Sequence, residues 1–89
     1  MNLQKNWELK IDQSVYKIVN KLPQHDAEAI SRIIRSLSQN PYFGDLQKMQ
    51  GEENTWRRRV GVYRIFFKIA IPQHEVIVFR VVRRTSKTY

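Results

Sequence analysis

The 89 residues suffice for one domain and exclude two independent cores. Hydrophobic residues at 42%, with no apolar run near the ~20 residues of a membrane span, exclude both a disordered chain and a transmembrane one. Cysteine is absent, which excludes disulfides and thiolate metal sites, while a net charge of +8 calls for a polyanion or an acidic protein partner unless it only solubilises the surface.

The elements read in chain order as follows. Trp7, Leu9 and Ile11 alternate with Glu8 and Lys10, the pattern of a short strand. Asp12 or Ser14 can cap the next segment, where Val15, Ile18, Val19 and Leu22 form one stripe of an amphipathic helix. Pro23 ends that helix and can open a second, with Asp26 as a further candidate cap. Ala27, Ile30, Ile33, Ile34 and Leu37 repeat the stripe until Asn40-Pro41 stops it. The short link predicts an antiparallel helical hairpin.

Residues 41–55 read as loop with room for one short strand. The period then becomes 2. Strands are expected at Trp56–Val60, Val62–Ile71 and Glu75–Val82, separated by a turn or bulge at Gly61 and a tight connection at Pro72-Gln73-His74. The fold class is therefore α+β: an N-terminal strand, an antiparallel helical hairpin, then a three-stranded antiparallel sheet. One sheet face covers the hairpin and the other stays open. The whole of residues 1–89 forms a single domain.

Charge is not spread evenly. Residues 1–55 hold seven basic and seven acidic side chains, whereas residues 56–89 hold nine basic ones and a single acid, Glu75. Most of the nine are arginines, whose forked donors match phosphate. Alternation places Tyr63, Ile65, Phe67, Ile69 and Ile71 in the core and Arg64, Phe66 and Lys68 on the open face. With Trp56 and Val60 inward, Arg57 and Arg59 join Arg64. In the last strand Ile77, Phe79 and Val81 are expected inward, and Val76, Val78, Arg80 and Val82 outward. Strict alternation turns Arg83 inward, so the strand must end or bulge near it. Arginines among aromatics on an open sheet suit a phosphate backbone with stacked bases; the plainer alternative is solvated strand positions with apolar stems lying on the sheet.

These residues resemble a known family. K-M-Q-G at 48–51, T-W-R-R-R-V-G-V-Y-R-I-F-F-K-I at 55–69 and the arginine-rich end at 76–89 are similar to the RelE/ParE superfamily of type II toxins, and N-K-L-P through N-P at 20–41 is similar to that family's helical hairpin. The resemblance implies a RelE-like small domain. RelE-like members cleave mRNA in the ribosomal A site, ParE-like members inhibit DNA gyrase, and both are neutralised by antitoxins. Carried over by position, the family's basic strand pair falls on Arg57 and Arg59. Its G-x-Y-R arginine falls on Arg64, its closing arginine on Arg83 or Arg84, and its tail tyrosine on Tyr89. Arginines replace the lysines common in the first strand, and Arg83-Arg84 replaces the common His-Arg. The first departure removes a group able to accept a proton.

The reading this implies is a cytoplasmic, metal-independent mRNA endonuclease without cofactor, with ribosome and mRNA as targets and an acidic antitoxin as partner in a toxin–antitoxin hetero-oligomer. No membrane is involved. RNA supplies its own nucleophile, the 2′-hydroxyl, so positioning and charge stabilisation carry most of the work. Candidate catalytic residues are Arg64, Arg83, Tyr89 and Arg59. Arg57, Arg58, Lys68, Arg80, Arg84 and Lys48 are candidates for RNA contact. His25 and His74 are far apart in the chain, which argues against zinc. Two other readings stand beside this one: a gyrase inhibitor of the same fold, and a non-catalytic nucleic-acid-binding module.

Overall fold

The computed structural model describes residues 6–84. Its elements are β1 (Glu8–Ile11), α1 (Gln13–Val19), α2 (Gln24–Ser36), β2 (Leu46–Lys48), β3 (Thr55–Val60), β4 (Tyr63–Ala70) and β5 (Glu75–Arg83). Asp12 caps α1: its carboxylate accepts the Ser14 amide at 3.0 Å and the Ser14 hydroxyl as well. Those bonds, the hydroxyl's first, hold the Asp12 carboxyl below the usual carboxylate range. Pro23 precedes α2 as expected, but no side chain caps that helix. Asp26 is used elsewhere, as the acceptor for the Tyr63 hydroxyl at 2.8 Å.

The strands form one five-stranded sheet in the order β1-β5-β4-β3-β2. β1 runs parallel to β5, and the other neighbours are antiparallel. The expected three-stranded antiparallel sheet is thus its centre, and two short edge strands complete it. The chain leaves β1 at one edge, passes through both helices and re-enters at the opposite edge as β2. That crossing separates β1 from β5 by more than sixty positions, beyond the reach of a local pattern.

Both helices cover one face, with α1 over β5 and α2 reaching β3. Val15, Ile30, Ile34 and Leu37 meet Ile65, Phe67, Ile69, Val76, Val78 and Val81 in the core, each almost fully withdrawn from water. Each such side chain contributes roughly 1.5–3 kcal/mol before entropy is counted. Trp7 and Trp56 are half-buried against this core. Tyr42 sits between their rings, 6.1 Å from one and 6.0 Å from the other, so the loop after α2 closes one end of the helix-side layer.

β4 keeps the expected phase, except that Ile71 lies in the following turn and is exposed. β5 does not. Phe66 pairs with Arg80 while Phe67 pairs with Val78, so Phe79 is an extra residue with no partner of its own. Before this bulge Val76 and Val78 point inward and Ile77 pairs with outward-facing Lys68. After it Val81 points inward and Arg80 and Val82 outward. The expected placing of Ile77 and Phe79 in the core, with Val76 and Val78 outside, is therefore reversed, while Arg80, Val81 and Val82 lie as expected.

Candidate functional site

The uncovered face owes its charge to the β3–β4 hairpin. Its turn is Gly61-Val62, with Gly61 at a φ of 58°, a backbone shape that glycine adopts without strain. The resulting register sets Arg59 directly opposite Arg64 and Arg57 opposite Phe66. Like charges facing each other across a ladder are unfavourable, so this pairing is not what a sheet would adopt for stability alone.

Arg57, Arg59 and Arg64 line one cleft of about 210 Å³, closed at its side by Asp45, Leu46 and Gln47. Arg59 donates from Nε to Asp45 Oδ2 at 2.9 Å, and its backbone N–H donates to the Asp45 carbonyl at 3.0 Å. Arg57 donates to the Gln47 side-chain oxygen. Arg64 is half-buried and has no hydrogen-bond or ion-pair partner among the described residues. Its guanidinium is held below the ordinary arginine value by partial desolvation first, then by the charges of Arg57, Arg84 and Arg59. An anion bound there would offset the neighbouring charges and favour the charged guanidinium.

The Arg84 amide donates to the Val62 carbonyl, which ties the end of β5 to the β3–β4 turn and brings Arg84 to Arg64. Arg83 takes the opposite side. It pairs with Tyr63, and its charge acts on the Tyr63 phenol instead. Of the two positions left open for the closing arginine, Arg84 is the one whose charge acts on Arg64.

The other candidates divide the same way. Arg80 lies on the open face with its guanidinium 5.4 Å from the centre of the Phe66 ring, and Phe79 is 6.3 Å from that ring. Lys68 is on the same face, nearer the far end of β4, and exposed. Arg58 points to the helix side, where its Nη1 donates to the Phe43 carbonyl at 3.0 Å. Lys48 pairs with Trp56 and shares its side, away from Arg57. The structure thus does not bring Arg58, Lys48 or Arg83 to the cleft. Tyr89 lies outside the described residues. Asp45 and Gln47 are site residues that the sequence reading missed, because no periodic pattern marks residues 45–48. Among the described residues no group of three His, Asp or Glu could hold a metal ion. No helix there is long and apolar enough to cross a membrane.

Two helices on one side of a small mixed sheet make a fold known from solved bacterial and archaeal toxins. The family model for the ParE toxin of type II toxin–antitoxin systems matches residues 6–87. The chain belongs to the RelE/ParE toxin superfamily and is a type II toxin. Among solved structures it is similar to the archaeal RelE–RelB complex from Pyrococcus horikoshii, with 20% identity over 92% of this chain and 99% of that one and a TM-score of 0.79. It is also similar to the RelBE2 toxin–antitoxin complex of Mycobacterium tuberculosis, at 22% identity over 89% and 99% of the two chains and a TM-score of 0.75. The isolated E. coli RelE toxin matches at 17% identity over 91% and 87%, with a TM-score of 0.76. No curated protein sequence matches the chain.

Proposed function

We propose that this toxin is an mRNA endonuclease acting on the ribosome, with the Arg57–Arg59–Arg64 cleft, under the added charge of Arg84, as the seat of the scissile phosphate. The observation that carries the reading is Arg64: half-buried, facing a second arginine across the ladder, without a partner of its own. A phosphodiester supplies the missing charge. The substrate 2′-oxygen attacks phosphorus, the bond to the 5′-oxygen breaks, and a 2′,3′-cyclic phosphate and a 5′-hydroxyl result. Arg64 and Arg59 stabilise the negative charge spread over the phosphorane oxygens. Arg84 offsets charge on the departing 5′-oxygen, which takes its proton from water. Tyr89, five residues beyond Arg84 in the sequence, is assigned the role of taking the 2′-hydroxyl proton. Phe66, with Arg80 over it, and Phe79 offer apolar and cationic surface for neighbouring bases.

RelE toxins crystallised with RelB antitoxins have the same fold, so an acidic antitoxin is the expected partner. Primer extension on cellular mRNAs after induction tests the reading. Cuts within A-site codons are expected in the wild type and absent in Arg64→Ala. The second reading, inhibition of DNA gyrase, is favoured by the match to the ParE family model. It predicts loss of plasmid supercoiling with no mRNA cuts.

A further inference from the structure

Two consecutive arginines of β3 grip the same short loop from opposite faces of the sheet. From the helix side, Arg58 Nη1 holds the Phe43 carbonyl. Gly44 allows this close approach, because a Cβ there would stand 2.2 Å from Arg58 Cζ. From the open side, Arg59 binds Asp45 through its backbone N–H and its side-chain Nε. The loop is fixed, and Asp45 with it.

The carboxylate uses only the Nε of Arg59. The two Nη groups, which carry four of the five donor hydrogens, have no partner among the described residues. Arg59 also stands opposite Arg64, so repulsion alone would turn it away from the cleft. We propose that Asp45 is a positioning residue: it anchors Arg59 by one edge and keeps the free Nη edge aimed at the phosphate bound by Arg64. This rests on the reading of the cleft as a phosphate site.

The opposite role is equally concrete and gives the opposite sign. A carboxylate in a basic cleft can act as a competitor for RNA, in which case removing it tightens binding. Fluorescence anisotropy with a labelled single-stranded RNA oligonucleotide, in the absence of ribosomes, separates the two. Asp45→Ala is expected to weaken binding about three- to fivefold, the range of an exposed ion pair, although it raises the net charge by one. Its salt slope should become shallower by about 0.7, the value of one lost phosphate contact on a single strand. Asp45→Asn retains an acceptor for Nε and should bind within about twofold of wild type. Equal or tighter binding by Asp45→Ala, or an unchanged or steeper slope, overturns the proposal. Arg64→Ala serves as the reference. Wild-type affinity in that variant overturns the phosphate reading itself, and the role of Asp45 falls with it. Loss in Arg64→Ala without loss in Asp45→Ala overturns only the latter.

Discussion

Arg59 and Arg64 occupy opposed positions on neighbouring strands, and only Arg59 has a carboxylate beside it. The sheet therefore carries one compensated and one uncompensated cation in a single cleft. Such a pairing opposes folding and favours anion binding. Arg64→Ala is accordingly expected to abolish growth inhibition on induction without loss of stability, and urea unfolding should show a midpoint equal to or above that of wild type. Undiminished toxicity in this variant would remove Arg64 from the active site.

Tyr63 ties β4 to the start of α2 through Asp26, and it is 5% exposed. The hydrogen bond to Asp26 first, then desolvation, then the Asp26 charge raise its phenol above the usual value of 10.0, against a smaller lowering by Arg83. A group whose folded value is raised contributes stability that is complete below its unfolded value and disappears as pH rises through the folded one. The protein should therefore lose stability as pH climbs above 10. Tyr63→Phe should be less stable at neutral pH and should lack that alkaline decline. Thermal unfolding of both proteins across the alkaline range decides this, and parallel pH profiles would contradict it.

Much of the open face was legible because β4 alternates cleanly. Arg64 and Lys68 mark one face, while Ile65, Phe67 and Ile69 mark the other. β5 offers no such contrast before Arg80: Val76, Ile77, Val78 and Phe79 are all apolar, so either phase fits, and the bulge at Phe79 shifts the phase midway. β1 pairs with a strand across the whole chain, and Asp45 acquires its role only through contact with β3. Neither relation leaves a periodic trace. The helical stripes were legible except at Ile18, which is 38% exposed.

The bulge makes a paired prediction. Val78→Ala opens a gap in the core and should cost about 2 kcal/mol, from lost methyl burial and the cavity left behind. Phe79→Ala removes a larger side chain from the uncovered face and should cost less than that. Equilibrium unfolding in urea measures both. A larger loss for Phe79→Ala would restore the uninterrupted alternation.

Gly44 supports the cleft from behind. Its φ of +103° is strained for any other residue, and an added Cβ would collide with the Arg58 guanidinium. The collision is with the far end of a flexible side chain, but Arg58 has little room to yield: its Nε is already buried without a hydrogen-bond partner. Gly44→Ala is expected to cost about 1–3 kcal/mol. Because the same loop carries Asp45, RNA affinity should fall as well. A variant with wild-type unfolding and wild-type affinity would show that the loop adapts freely.

The two arginines that end the described chain should differ in effect, although they are adjacent and carry the same charge. Arg83 is the last residue of β5, and its register with Tyr63 puts it on the helix side, where its charge acts on a phenol rather than on Arg64. Arg84 follows the strand, is held by its amide to the Val62 carbonyl, and adds its charge to the Arg64 cluster. A general loss of positive charge would weaken binding about equally at either position, since adjacent residues with Cα atoms about 3.8 Å apart differ little on the scale of a Debye length of about 8–10 Å. A phosphate contact would not. Arg84→Ala should therefore reduce single-turnover mRNA cleavage on programmed ribosomes by at least about tenfold, the scale of one charge-assisted hydrogen bond in the transition state. Arg83→Ala should remain within about threefold of wild type, the small effect of a screened surface charge. The reverse order would mean that the strand slips by one residue on the ribosome and presents Arg83 instead.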